Sequence, residues 1–246
     1  LHQQRSRRPT PIRDEKIITA WNGLMISAFA KASFAFNDDK YLIIAKKAAS
    51  FIETKLQKNG RLLRSYKDEQ AKHNGYADDY AFYISALIDL YEASSEIHWL
   101  SKAIRVDQTF SKFYEDKENG GFFTTGHDHE KLIAREKPAY DGAIPSANSV
   151  AALNLLRLSE LTTDDNYRKR AVKLFKAFSL ILKKRPIALA QMLLAWDFYL
   201  SSAFEIIIVK TKDGSNKLVK AMQDTFIPHK IISIVNVGDE LNAHSK

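Results

Sequence analysis

Asp78 and Asp79 are adjacent carboxylates directly ahead of a long apolar segment, and Asp141 stands in a Gly-, Pro- and Ser-containing loop ahead of another. Two carboxyl groups brought to one cleft, one protonated and one ionised, have the chemistry for acid/base work on a sugar, either hydrolysis or isomerisation. Neighbours in sequence point in different directions on a helix, so Asp78 and Asp79 do not make such a pair between themselves. Asp79 is therefore the candidate acid/base, with Asp78 beside it, and Asp141 is the candidate partner. A purely local reading competes with this one, because Asp is a preferred helix cap and turn residue. Trp21, Asn22 and Gly23 add an aromatic plate, an amide and a residue that permits close approach, a set able to cover a sugar's C–H face and read its hydroxyls. A Trp on a helical stripe also serves as plain core. Tyr80, Ser146 and Asn148 are further candidate substrate contacts, the last two equally suited to capping. Arg13, clustered with Asp14 and Lys16, is a candidate substrate-facing cation.

Histidine narrows the chemistry. His73 and His127-Asp128-His129 fall in loops, so no histidine stands on a helix where an epimerase-type proton-transfer pair would need it. Alternate histidines at a turn tip are read as polar surface, and no metal is expected. The chain has no P-loop, Rossmann glycine pattern or Gly-X-Ser-X-Gly elbow, so neither a nucleotide cofactor nor serine-hydrolase chemistry is expected.

The elements that must position these groups follow from periodicity. Polar loops at 13–23, 74–80 and 140–148 each precede a long amphipathic segment and recur every 57 to 69 residues. That period fits stacked αα-hairpins whose functional ends share one face. Trp21, Leu24, Met25, Ala28, Phe29 and Ala32 trace a first helix, and Tyr41, Ile44, Ala45, Ala48, Ile52 and Leu56 a second. Stripes through Tyr80–Tyr91 and Trp99–Phe113 make another hairpin, and 149–161 with 167–182 a third. A seventh helix starts after Pro186. Residues 61–66 read as a short strand or turn, and a small β-hairpin is expected near 120–136, with Lys131–Arg135 as its second arm. From Phe204 onward the pattern becomes strand, Asp213-Gly214 turn, helix and strand, a small βαβ-like unit over 204–246 behind a helical body over 1–203.

With 246 residues, 45% of them hydrophobic, the chain can bury a sizeable core. It has no cysteine, which excludes disulfides and thiol chemistry within it. The net charge of +8 is mostly scattered over expected helix faces, so no specific nucleic-acid partner is expected. No apolar run is long enough for a membrane helix and no signal peptide is visible, which makes a cytoplasmic location the default expectation and a membrane partner unexpected.

The loops also carry a specific pattern. Arg8-Pro9-Thr10-Pro11 with Arg13-Asp14-Glu15-Lys16, Ala20-Trp21-Asn22-Gly23-Leu24-Met25 and Asp78-Asp79-Tyr80-Ala81-Phe82 are followed in order by three more stretches. These are Asn119-Gly120-Gly121-Phe122-Phe123, Asp141-Gly142-Ala143-Ile144-Pro145-Ser146-Ala147-Asn148-Ser149-Val150 and Asn154-Leu155-Leu156-Arg157-Leu158. In these the chain resembles the spermatogenesis-associated protein 20 family over nearly its whole length. The resemblance implies a thioredoxin-like domain followed by an (α/α) toroid of the six-hairpin glycosidase type, with this chain as the C-terminal part. It implies as partners the other half of the toroid, the thioredoxin-like module and a sugar ligand. Set against a carbohydrate role is a noncatalytic scaffold domain serving the thioredoxin-like module. An arc of about three hairpins also leaves an apolar flank open, so self-association is expected of the isolated chain.

Overall fold

The computed structural model describes residues 1–9, 11–130, 133–210 and 216–236. Its elements are α1 (His2–Arg5), β1 (Ile17–Ile18), α2 (Thr19–Phe36), α3 (Asp39–Lys55), β2 (Gln57–Lys58), β3 (Arg61–Lys67), β4 (Gln70–Asn74), α4 (Ala77–Ser94) and α5 (Ile97–Tyr114). After a long connection come α6 (Ala147–Thr162), α7 (Asp165–Lys184), a 3-10 turn (Pro186–Leu189), α8 (Ala190–Leu200), β5 (Phe204–Lys210), α9 (Asn216–Gln223) and β6 (Lys230–Asn236).

The long helices begin and end where side chains satisfy or excuse the backbone. Asp38 and Asp164 accept the amides of Lys40 and Asn166 and so start α3 and α7, while Ser146 accepts the Ser149 amide at the start of α6. Asn37, Ser95 and Thr163 close α2, α4 and α6 in the left-handed conformation, with φ of 50°, 64° and 54°. The helices alternate between an inner and an outer row. α2, α4, α6 and α8 lie side by side as the inner row, with α3, α5 and α7 behind them. The central member, α4, is buried almost all round, with Tyr80, Phe82, Tyr83, Ile84, Leu87 and Ile88 at most 1% exposed, as a helix covered on every side must be. Gly23 lets α2 approach it, since a Cβ there would lie 2.8 Å from the Phe82 carbonyl carbon.

Two sheets trim this body. β1, β2 and β4 each pair antiparallel with β3, which sits over the start of α4. β5 and β6 pair in parallel from Phe204–Lys230 to Lys210–Asn236, joined through α9. This unit rests on the body partly through a hydrogen bond between the Tyr91 and Ser233 hydroxyls (2.9 Å).

One expectation needs revision. Among the described residues of 120–136 there is no strand pair; Phe122 makes one isolated bridge to Glu115, and the segment is held by side chains instead. Antiparallel hairpins among the described residues are β2–β3, turned at Asn59-Gly60, and β3–β4, where Asp68 and Glu69 turn the chain at positive φ. Lys131 and Leu132, the Asp213-Gly214 turn, Thr10 and residues 237–246 lie outside the described residues. No helix among the described residues is long and apolar enough to cross a membrane.

Substituting Gly23 by Ala places a methyl against backbone atoms of Phe82 and Tyr83 at 2.8–3.0 Å. The expected cost is about 1–3 kcal/mol. Guanidinium unfolding checks it; an unchanged midpoint would mean that α2 and α4 are not packed this closely.

Candidate functional site

The predicted motif residues gather at one end of the body, where the inner helices start. Asp79, in the first turn of α4 and fully buried, accepts the amide of Tyr76 at its own helix start (2.8 Å) and the amide of Ala20 in the first turn of α2 (2.8 Å). Arg64 of β3 adds a third donor at 3.0 Å. One carboxylate thus caps two helices and ties their ends together. Burial and the neighbouring Asp78 push its carboxyl up to about 7, against the pull of Arg64 and the Tyr76 amide.

Asn148 does the equivalent work at α6. Its Oδ1 accepts the Phe122 amide (2.7 Å), and its Nδ2 donates to the carbonyls of Phe122 (3.0 Å) and Pro138 (2.8 Å). Phe122 leads into Thr124, whose carbonyl accepts the amide of Ala77, the first residue of α4, at 2.9 Å. Asp141 carries the tie onward. Its Oδ1 accepts the Ser146 amide (2.8 Å), and its Oδ2 accepts the Ser149 hydroxyl (3.0 Å) and the amides of Gln191 (2.9 Å) and Met192 (3.3 Å) in the first turn of α8.

The structure therefore brings Asp79, Asn148 and Asp141 to one end without bringing Asp79 and Asp141 together. They share no partner, and their oxygens are taken up by backbone and side-chain donors. Ser146 is the N-cap of α6. Tyr80 is core: its ring stacks on Phe110, and its hydroxyl accepts the Leu62 amide (3.0 Å) and Arg61 Nε (3.1 Å). Asn22 donates to the Ile18 carbonyl at 2.9 Å. Arg13 is exposed and pairs with Glu15 two residues away.

Three groups are left facing outward at this end. Trp21, next to the Ala20 amide that Asp79 holds, is 59% exposed. Tyr76 is partly exposed under the Arg64 guanidinium, 5.2 Å from its ring centre. Asp78 accepts two hydrogen bonds from Arg64 Nη1, at 2.8 Å each, and the Asp79 amide at 3.1 Å, and keeps 25% of its side chain exposed. Beside them a cavity of about 310 Å³ is lined by His73, Asn74, Tyr76, Thr125, Asp128, His129 and Glu130. His129 meets the Tyr114 hydroxyl at 3.2 Å. Burial, with Arg61 and Arg135 nearby, holds the His129 ring below the ordinary histidine range despite Asp128.

Sequence reasoning missed Arg64, Arg61 and His129 as parts of this end, since nothing in a short strand or a turn tip marks which helix start it will cover. It also missed a second polar cluster farther along the inner row. There Asp89 of α4, 1% exposed, meets Arg157 of α6 at 2.7 Å and Lys31 of α2 at 3.1 Å, and it accepts the Ser27 hydroxyl. Arg157 also reaches Glu92 at 3.0 Å. Against the cost of burial, Arg157, Lys31 and Ser27 keep the Asp89 carboxyl below the usual range, whereas burial raises that of Glu92. The available signal was a charge in the middle of an otherwise apolar helix. Among the described residues, no group of three or more His, Cys, Asp or Glu could hold a metal ion.

No protein-family model matches the chain. It is 34% identical over 252 residues to human spermatogenesis-associated protein 20, spanning 97% of this chain and 32% of the human protein. The rat protein of the same name is likewise 34% identical, over 253 residues and the same shares. The chain thus spans about a third of the length of these relatives. Among solved structures it is similar to a GH76 alpha-mannanase of Bacteroides thetaiotaomicron, with a TM-score of 0.61 and 16% identity over 87% of this chain and 58% of that one. It is also similar to cellobiose 2-epimerase from Bacillus thermoamylovorans, with a TM-score of 0.57 and 15% identity over 69% and 46%. The shared architecture is the six-hairpin (α/α) toroid, of which this chain forms an arc.

Two outcomes follow from the ties. In Asp141→Asn the amide group faces the donors that Oδ2 now accepts, so at least one buried N–H is stranded at about 1–3 kcal/mol, read as a lower urea midpoint. For Asp79, a folded-state value near 7 lies above the unfolded one, so its stabilisation is present below pH 4 and lost as pH rises through 7. The stability difference between wild type and Asp79→Asn should therefore shift against the wild type between pH 4.5 and 8. A difference that stays constant, or moves the other way, would contradict the raised value.

Proposed function

The chain belongs to the spermatogenesis-associated protein 20 family, and on that premise we propose that it is one arc of a toroid that binds a sugar at the start of its inner helices. The observation carrying this reading is the surface that remains there once the caps are counted: the exposed Trp21 ring, the Tyr76 ring and the Asp78–Arg64 pair. An aromatic face covers the C–H side of a sugar, while a carboxylate and a guanidinium held side by side accept from and donate to its hydroxyls. The sugar enzymes that share the fold support the same direction, as fold analogy.

Within this reading Asp79 and Asp141 are architectural. Acid/base chemistry on a bound sugar, hydrolysis or isomerisation, requires a carboxyl oxygen open to the ligand. Asp78, with 25% of its side chain exposed, would share its oxygens with Arg64 and the Asp79 amide; Asp79 would first have to give up the Ala20 and Tyr76 amides. The sealing of Asp79 and Asp141 also supports the second reading, a noncatalytic scaffold that serves a thioredoxin-like module. Calorimetric titration with mono- and disaccharides and uronic acids separates the two. Saturable binding that weakens at least tenfold in Trp21→Ala and Asp78→Asn, with unfolding midpoints kept, is the expected result. Absence of binding to every sugar, or binding indifferent to both changes, would favour the scaffold.

A further inference from the structure

Each of the inner helices α2, α4 and α6 is followed by an outer helix that packs along it. After α8 the chain instead turns into β5, and among the described residues no outer helix packs along α8. Leu193 and Trp196, each 37% exposed, lie there across from Leu180 of α7, which is 62% exposed. Between the two helices runs a groove of about 730 Å³. Its floor is built from Val172, Phe175, Leu180, Leu193, Trp196 and Tyr199. The Trp196 ring stands edge-on to Phe175 at 4.9 Å, so the floor is a packed surface.

The rim is basic. Lys176 and Lys183 line the groove, and Lys169 and Lys173 continue the same side of α7 into the adjoining cavity, where Asp165 is the one acidic residue among those lining it. A long apolar trough flanked by lysines matches an amphipathic helix whose polar flanks are acidic.

We infer that the α7–α8 groove is the seat of an outer-row helix with an acidic polar face, contributed by another part of the ring. The inference rests on the arc reading above and not on its sugar site. The acidic face chooses this occupant over a second copy of this chain, because α7 would bring its own lysines against the lysine rim.

The test uses the full chain and a synthetic amphipathic helix of about five turns, Leu on one stripe and Glu on the flanks, beside a counterpart with Lys for Glu. Docking buries Trp196, so its emission should shift to the blue on saturable addition of the Glu peptide. Affinity should fall about tenfold in Leu180→Asp and in the double variant Lys176→Glu/Lys183→Glu, and should weaken with salt. Trp196→Phe should keep binding, read by peptide anisotropy, and lose the shift. No binding of the Glu peptide, equal binding of the Lys peptide, or a dimer in sedimentation that Leu180→Asp dissociates would overturn the assignment. If the peptide docks while no sugar binds, the sugar site alone fails; if sugar binds and the peptide does not, the groove assignment alone fails.

Discussion

Four helices side by side with their starts at one end concentrate unpaired amides and positive partial charge in a small region. Three side chains at that end answer this problem. Asp79 caps α4 and α2 together, Asn148 anchors the 122–138 connection to α6 and so to α4, and Asp141 joins α6 to α8. Each tie uses one side chain for two elements, and at Asp79 and Asp141 the same carboxylate that meets helix-start amides also sets neighbouring helices in register. A single cap contributes on the order of 1 kcal/mol; shared caps also fix how neighbouring helices slide, which apolar packing alone leaves soft.

The opposite half of the inner row is locked by charge. Asp89, Arg157 and Lys31 come from α4, α6 and α2, so here one carboxylate links three inner helices. Removing one member of such a buried set strands its partner, at about 3–5 kcal/mol, even though a well-packed apolar replacement of the whole set need not be less stable. The row is thus held by amide caps at its start and by ion pairs farther along. Between them the apolar side chains of α4, from Tyr80 to Ile88, are buried.

Much of this was legible in the sequence. The stripes that begin at Trp21, Tyr41, Tyr80, Trp99 and Tyr167 are long and periodic, and they mark real helices. The loop pattern placed the chain in its family and the toroid class. The roles of Asp79 and Asp141 were not legible, because an Asp before an apolar helix gives the same sequence signal whether it caps or meets a ligand. Only the partners, Ala20 from 59 residues away and Gln191 from 50, separate the two. The Gly120–Thr125 stretch has strand-like composition, but it lies against Asn148 and the start of α4, where side-chain bonds replace a ladder. Arg64 and Asp89 act through residues distant in sequence and carry no local motif.

The account stands on the ties at the inner-helix starts, and residue-resolved hydrogen exchange in the wild type and Asp79→Ala tests them most directly. The ties predict that the Ala20 and Tyr76 amides, slow in the wild type, become fast in the variant along with the first turns of α2 and α4. The Phe122 and Gln191 amides, held by Asn148 and Asp141, should stay protected. Unchanged protection at Ala20 and Tyr76 would contradict the claim that Asp79 holds the two helices together.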